Sequence, residues 1–134
     1  MFATDIDNEV LEKAALGLYN EKAVQTVPEP YKSKYFTRDS DCYRVDECLR
    51  KMVQFQRHDL LKDNYNRGFD LILCRNVVIY FTEETKHRLY CRFADALRSK
   101  GVIFIGSTEQ IFQARELGLK SIATFFLSKS VNYQ

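Results

Sequence analysis

Polar side chains follow the ends of four apolar segments of the chain, and these side chains could bind a ligand or take part in a reaction. The four sets are residues 5–7, 58–60, 75–76 and 106–109. In open parallel sheets, ligands bind outside the carboxyl ends of the strands. If the apolar segments are parallel strands, these sets are the first candidates for a binding site.

Two aspartates end the first apolar segment, Phe2–Asp7. A carboxylate at such a strand end can accept hydrogen bonds from both hydroxyls of an adenosine ribose, because it offers two oxygens in one plane. An aspartate just before a helix can instead cap that helix. We assign the ligand role to Asp5 and the cap to Asp7.

Asp59 and Leu60 follow a second strand-like segment, Met52–Gln56. The Asp59 carboxylate can accept a hydrogen bond from the exocyclic amine of an adenine, and Leu60 can supply an apolar face and a backbone N–H. A loop aspartate is also a common turn residue. Both interpretations of Asp59 stay open.

Arg75 and Asn76 come directly after the most apolar segment, Phe69–Cys74. Such a near-continuous apolar run is typical of a central strand covered on both faces of a parallel sheet. A guanidinium and an amide that are desolvated there need several partners. We therefore expect a binding role for Arg75 and Asn76 rather than a packing role.

The cysteines and histidines show no spacing typical of a metal site or of a nucleophile with its base. The four cysteines contain no C-x-x-C pair, so we expect reduced thiols. His58 and His87 are expected to be exposed or structurally satisfied. We therefore assign no catalytic residue and no metal ligand. The four cysteines are Cys42, Cys48, Cys74 and Cys91.

In the first half of the chain, a helix capped by Asp7 and ended near Gly17 is predicted from apolar residues at helical spacing, which are Val10, Leu11, Ala14, Ala15 and Leu18. The polar stretch Glu21–Ser40 contains both prolines. It predicts an ordered excursion without a regular element. A short strand is expected at Tyr43–Val45.

In the second half, Thr82 is expected to cap a helix that ends at Ser99–Gly101. The predicted buried stripe of this helix is Leu89, Tyr90, Phe93, Ala94 and Leu97. A buried strand is predicted over Val102–Ile105, and a capping box predicts a helix over 107–117. The stretch Leu119–Lys129 predicts two short strands joined as a hairpin. These elements position the candidate residues at strand ends.

This alternation of strands and helices predicts an α/β fold with a mostly parallel sheet and a C-terminal antiparallel hairpin. The 134 residues suit one domain over 1–134. A short insertion is expected at about residues 20–52.

Charge and hydropathy patterns exclude several classes of function. The formal net charge is +2, with acids and bases interleaved. The sequence therefore lacks the cluster of basic residues that nucleic-acid binding requires. No apolar stretch approaches the roughly 20 residues that span a bilayer, and no signal peptide is recognisable. We expect a cytosolic protein without nucleic-acid partners or membrane insertion.

Four segments together resemble the CheR family of chemotaxis methyltransferases, in the family's order and at about its spacing. They are Ala3–Ala14, Lys34–Phe36, Cys74–Phe81 and Gly106–Glu109. The stretch Cys-Arg-Asn-Val-Val-Ile-Tyr-Phe is the most specific of them. The resemblance implies a Rossmann-like class I methyltransferase sheet.

The resemblance also implies roles in binding the cofactor, S-adenosylmethionine, and its product S-adenosylhomocysteine. Asp5 resembles the ribose-binding acid of the family. Asp59 and Leu60 resemble its adenine-side contacts, although many members carry asparagine where Asp59 stands. Arg75 and Asn76 resemble the residues beside the methionine and sulfonium end.

The implied reaction is methyl transfer to glutamate side chains on the cytoplasmic domains of chemoreceptors, a step in signal transduction. Tyr80 lies near the expected entrance for the acceptor. Glutamate is already ionised at neutral pH, so the transfer needs alignment and water exclusion more than a general base.

The sequence also departs from the family pattern. A helical N-terminal domain, the first strand and its glycine-rich cofactor loop have no counterpart here, so we expect an N-terminally truncated domain with exposed sheet edges. Such edges can drive dimerisation. The short insertion predicts no pentapeptide tether to receptors. The alternative function is a non-catalytic or decayed fragment that keeps the fold for protein contacts.

Overall fold

A computed structural model of the chain describes residues 1–106, 111 and 114–131. The chain divides into two compact units, Met1–Lys62 and Asp63–Gln134. The expectation of one domain over residues 1–134 stays a prediction. Within the described residues, no helix is long and apolar enough to cross a membrane.

The first unit contains a parallel pair of strands, β1 (Phe2–Asp5) and β5 (Gln54–Arg57). Helix α1 (Asn8–Leu16) follows β1 and begins the crossover that a parallel pair requires. The predicted cap at Asp7 and the predicted end near Gly17 are both confirmed. Gly17 takes a left-handed conformation with φ +65°, which ends the helix before Leu18.

The insertion between α1 and β5 folds into a three-stranded antiparallel sheet with the order β2-β4-β3. Two short helices lie between its first two strands in the chain, and a third follows its last strand. The elements are β2 (Leu18–Asn20), α2 (Glu21–Val24), α3 (Glu29–Tyr35), β3 (Phe36–Asp39), β4 (Cys42–Val45) and α4 (Glu47–Lys51). The strand predicted at Tyr43–Val45 is confirmed.

The expectation that Glu21–Ser40 holds no regular element is wrong. Both prolines lie at the start of α3, Pro28 as its N-cap and Pro30 in its first turn. A proline at that end of a helix removes no helical hydrogen bond, because the first N–H groups have no partner within the helix. The prolines therefore begin a helix here instead of excluding one.

One charged cluster ties the insertion together. The Lys32 ammonium lies 3.3 Å from a Glu21 carboxylate oxygen and 4.7 Å from the centre of the Tyr43 ring. The pKa of Glu21 is lowered, first by a hydrogen bond from Tyr43 and then by Lys32. The pKa of Lys32 is raised by the same carboxylate. Helices α2 and α3 and strand β4 thus share one set of contacts.

The second unit contains a four-stranded sheet with the order β6-β7-β9-β8. Strands β6 and β7 are parallel, whereas β9 is antiparallel to both β7 and β8. The strands are β6 (Phe69–Cys74), β7 (Leu97–Ile105), β8 (Leu119–Ala123) and β9 (Phe126–Lys129). The predicted α/β class, with parallel pairs and a C-terminal antiparallel hairpin, is confirmed.

Helix α5 (Glu83–Ala96) supplies one side of this unit's core. The Thr82 hydroxyl caps it by accepting a hydrogen bond from the Thr85 N–H at 3.3 Å, as predicted. The buried stripe of the helix is also confirmed. The buried helix residues include Leu89, Tyr90, Phe93 and Ala94. The buried sheet residues include Ile103, Ile105 and Leu127.

Helix α5 ends at Ala96 and not at the predicted Ser99–Gly101, and β7 begins at once. The strand register passes from Phe69 opposite Leu97 to Leu71 opposite Val102, so the intervening residues of β7 bulge. Gly101 is required at this bulge. A Cβ atom there would lie 2.7 Å from the Phe69 carbonyl oxygen.

Strand β6 was predicted to be central and covered on both faces, and this is wrong for the part of the chain that the structure describes. Leu71 is 50% exposed and Leu73 is 62% exposed. Among the described strands, β6 comes first in the order of its sheet and pairs with β7. The helix predicted over 107–117 falls mostly outside the described residues.

Lys129 of β9 closes the C-terminal end of α5. Its ammonium donates to the carbonyl oxygens of Ala94 at 2.6 Å and Leu97 at 2.9 Å. The last carbonyls of a helix lack partners within the helix and carry partial negative charge, so a cation there is favourable. This contact joins the helix to the hairpin.

Replacing this ammonium should destabilise the fold. For Lys129→Met we expect a loss of about 1–3 kcal/mol in the free energy of unfolding, because two half-buried carbonyls lose a charged donor. Urea denaturation followed by circular dichroism measures it. The matched control is Lys120→Met, an exposed lysine on β8, and equal losses for both variants would contradict the cap.

Candidate functional site

The carboxyl ends of β1 and β5 lie side by side. Asp5 is the register partner of Arg57, and the His58 N–H donates to the Asp5 carbonyl oxygen at 2.9 Å. Asp59 follows directly. Two of the predicted site segments, from distant parts of the sequence, therefore meet at one edge of a parallel pair.

Asp5 is half-buried and uses one carboxylate oxygen locally. Its Oδ1 accepts a hydrogen bond from the Asp7 N–H at 2.9 Å. Within the described part of the chain, Oδ2 accepts no hydrogen bond, so it can receive a hydroxyl. Asp7 Oδ1 accepts from the Glu9 N–H at 2.8 Å. The predicted cap by Asp7 is thus confirmed, and the ligand role of Asp5 stays a prediction.

Asp59 forms a turn at this same edge. Its Oδ1 accepts from the Leu61 N–H at 2.9 Å, and its carbonyl oxygen accepts from the Lys62 N–H at 3.2 Å. Asp59 and Leu60 are both half-buried. The turn interpretation is confirmed, and the contact with adenine stays a prediction because a turn residue can also face a ligand.

Arg75 and Asn76 follow β6 in the second unit, and both are exposed. The premise that they are desolvated is therefore wrong for the chain as described. Asn76 has φ +58°, a left-handed conformation that non-glycine residues adopt uncommonly. The Arg75 guanidinium lies over the Phe104 ring, 5.5 Å from its centre.

Sequence reasoning did not name the aromatic pair beneath Arg75. Phe104 and Phe126 are register partners on β7 and β9, and their rings stack with centres 4.4 Å apart. Phe104 is also the register partner of Leu73. The signal that could have found this face is the alternation along Val102–Ile105, because Phe104 points opposite to buried Ile103 and Ile105.

Tyr80 ends a short 3-10 helix, Val78–Tyr80. Val78 is fully buried, whereas Tyr80 is 83% exposed. The buried valine fixes the segment and leaves the phenol available to a partner. Gly106 is buried, and the predicted site residues 107–109 lie outside the described residues.

The cysteines are free thiols, as predicted. His87 Nε2 lies 3.7 Å from the Cys91 sulfur on the exposed side of α5, and His58 is half-buried and bonded through its backbone. Among residues 1–106, 111 and 114–131, no group of three or more potential ligands could hold a metal ion.

One thiol has an altered pKa. Cys48 is exposed, and a hydrogen bond to the Asp46 carboxylate raises its pKa. The pKa of Asp46 is lowered by the same thiol and by the backbone N–H of Cys48, which donates to its Oδ1 at 2.8 Å. Asp46 thereby also caps α4.

Comparisons with known proteins identify the fold and then the family. A TehB-like SAM-dependent methyltransferase from Corynebacterium glutamicum superposes with a TM-score of 0.51 at 17% identity, over 95% of this chain and 64% of that one. That likeness shows the fold, which is the Rossmann-like fold of such enzymes.

The family profile described as CheR methyltransferase, SAM binding domain, matches residues 1–125. The chain belongs to this family. It is 43% identical to a chemotaxis protein methyltransferase of Listeria innocua over 97% of this chain and 50% of the relative. It is 37% identical to one of Salmonella typhimurium, over 96% of this chain and 47% of the relative. The chain thus spans about half the length of these curated relatives.

The cofactor of this domain is S-adenosylmethionine, and the residues at the β1–β5 edge fit its adenosine part. Asp5 Oδ2 is available to a ribose hydroxyl. Carboxylate oxygens accept hydrogen bonds from hydroxyls and from an exocyclic amine, and Leu60 supplies apolar surface beside them.

Neutralising Asp46 should make Cys48 more reactive. A nearby carboxylate disfavours the thiolate, so Asp46→Asn should lower the thiol pKa and move the pH dependence of iodoacetamide alkylation to lower pH. Asparagine still caps the helix, so α4 should persist. Peptide mass spectrometry measures the rate at Cys48. An unchanged profile, equal to that of the exposed control Asp41→Asn, would contradict this role of Asp46.

Proposed function

We propose that this chain supplies the adenosine side of the cofactor pocket in a methyltransferase that esterifies glutamate side chains of chemoreceptors. One observation carries the proposal: the parallel pairing of β1 with β5 brings Asp5 and Asp59 to one edge in a chain of the CheR family. Its partners are the cytoplasmic domains of chemoreceptors, and we place the reaction in the cytosol.

The residues of the first unit hold the adenosine. Asp5 Oδ2 accepts from the ribose hydroxyls while Oδ1 stays bound to the Asp7 N–H. Asp59 accepts from the exocyclic amine of the adenine, and Leu60 covers the ring. Support comes from the orientation of Asp5, which its bond to Asp7 fixes before any ligand arrives.

The residues of the second unit act at the reacting end. S-adenosylmethionine, when bound, supplies the electrophilic methyl group. By resemblance to the family, Arg75 and Asn76 serve the methionine and sulfonium end, and Tyr80 serves the entrance for the acceptor. An ionised glutamate needs no proton removal before it attacks. These residues therefore contribute by alignment and by excluding water.

Docking to a receptor tail is a separate question. The expectation of no pentapeptide tether rested on an insertion with few strand-like residues. The three-stranded sheet in this insertion removes that premise. The absence of a tether stays a prediction, which titration of the pentapeptide into the protein tests directly.

A chimaera tests the proposed function. This chain replaces the matching half of the Listeria innocua relative, and receptor methylation is measured as alkali-labile methyl esters formed from labelled S-adenosylmethionine. We expect esters on receptor glutamates. A folded chimaera that binds the cofactor but forms no esters would favour the non-catalytic alternative.

Within the chimaera, Asp5→Asn should raise the dissociation constant for S-adenosylhomocysteine about tenfold or more. Asparagine keeps the Oδ1 acceptor for the Asp7 N–H but replaces Oδ2 with a donor that cannot accept from a ribose hydroxyl. Calorimetry measures the constant. The control is Asp7→Asn, which keeps the helix cap, and equal effects of the two variants would refute the ribose contact.

The chain by itself should bind S-adenosylmethionine weakly. Its five glycines are isolated in sequence, so it offers no glycine-rich loop to hold the rest of the cofactor. Calorimetric titration of the purified chain measures this. Micromolar binding to a monomer would contradict the expectation.

A further inference from the structure

The Arg75 guanidinium has an aromatic neighbour in the place where an acid might be expected. It lies 5.5 Å from the centre of the Phe104 ring, within the roughly 6 Å at which a ring face attracts a cation. Among residues 1–106, 111 and 114–131, this guanidinium forms no hydrogen bond and no ion pair. In this part of the chain, the ring is therefore the contact that orients it.

Strand register brings the ring within reach of Arg75. Phe104 on β7 is the register partner of Leu73 on β6, and Arg75 follows two residues after Leu73. A long side chain can reach a neighbour that is offset by two residues on the adjacent strand. The contact therefore follows from the pairing of β6 with β7 within the second unit.

A second ring supports the first. Phe126 stacks on Phe104 with the ring centres 4.4 Å apart and the ring planes 17° apart. Phe125, with φ +65°, turns the chain into β9, and its carbonyl oxygen accepts from the Ile105 N–H at 3.0 Å. This backbone bond lies next to the ring pair along both strands, so it fixes the position of Phe126 against Phe104.

We propose that Phe104, supported by Phe126, is a positioning residue that holds Arg75 for the carboxylate at the methionine end of S-adenosylmethionine. The proposal rests on the proposed function, which assigns Arg75 to that end. A guanidinium stacks through its face and donates two parallel hydrogen bonds to a carboxylate in its plane. An aromatic partner orients this cation without neutralising it, whereas an acidic partner would compete with the ligand.

Calorimetric titration of the chimaera with S-adenosylhomocysteine tests the role of the ring. Phe104→Leu should raise the dissociation constant about two- to fivefold, because a partly exposed cation–π contact is lost. The matched control is Phe104→Tyr, which keeps the ring face and should bind as the unchanged chimaera does. In an Arg75→Gln background, Phe104→Leu should have no further effect, because the guanidinium that the ring positions is gone.

A second measurement does not depend on how well Phe104→Leu folds. In the chimaera labelled on arginine, the side-chain protons of Arg75 should resonate upfield in the NMR spectrum, because they lie over a ring face. Arg75→Lys identifies the signal by its loss. Phe104→Tyr should keep the upfield position.

Three results would overturn the proposal. An Arg75 signal without an upfield shift would show that the ring does not hold the guanidinium. Binding by Phe104→Leu as tight as that of the unchanged chimaera would show that the contact does not serve the cofactor. An equal loss with and without Arg75 would show that Phe104 acts through general packing.

These results are distinct from failure of the proposed function. Each of them leaves that function intact as long as the unchanged chimaera forms methyl esters on receptor glutamates. A chimaera that binds the cofactor with the expected dependence on Phe104 but forms no esters would instead count against the proposed function and leave the positioning role standing.

Discussion

Parallel strand pairing is the constraint on which the candidate site depends. Two parallel strands end at the same edge, so the pairing of β1 with β5 brings Asp5 to the loop that holds Asp59. The bond from the His58 N–H to the Asp5 carbonyl oxygen fixes that edge. The acids need no direct contact with each other, because the backbone ladder determines their separation.

The second unit also contains a parallel strand pair, β6 with β7, and its sheet is supported by a helix. Helix α5 covers one face of the sheet, and Lys129 binds the carbonyl end of the helix from the hairpin. On the other face, the stacked rings of Phe104 and Phe126 lie beneath Arg75. The planar guanidinium lies over an aromatic ring, and a contact through its face leaves its in-plane N–H donors available to a ligand.

The insertion shows how a polar sequence can still form a sheet. Its three strands are short, and most of their residues are exposed. The contacts of Glu21 with Lys32 and Tyr43 join two of its helices to strand β4. Prolines at the start of α3 fix the turn into that helix.

The sequence by itself determined the elements whose signals are local. The cap by Asp7, the cap by Thr82 and the buried stripe of α5 follow from hydrogen bonds and periodicity within a few residues. The family match likewise rests on contiguous motifs. Exposure, strand register and contacts between side chains were decided only by the tertiary structure, because they depend on partners from distant segments. The exposure of Leu73 depends on what lies beside β6, and the bulge in β7 depends on the close approach of Gly101 to the Phe69 carbonyl. The placement of Arg75 over Phe104 depends on strand register, which no single segment encodes.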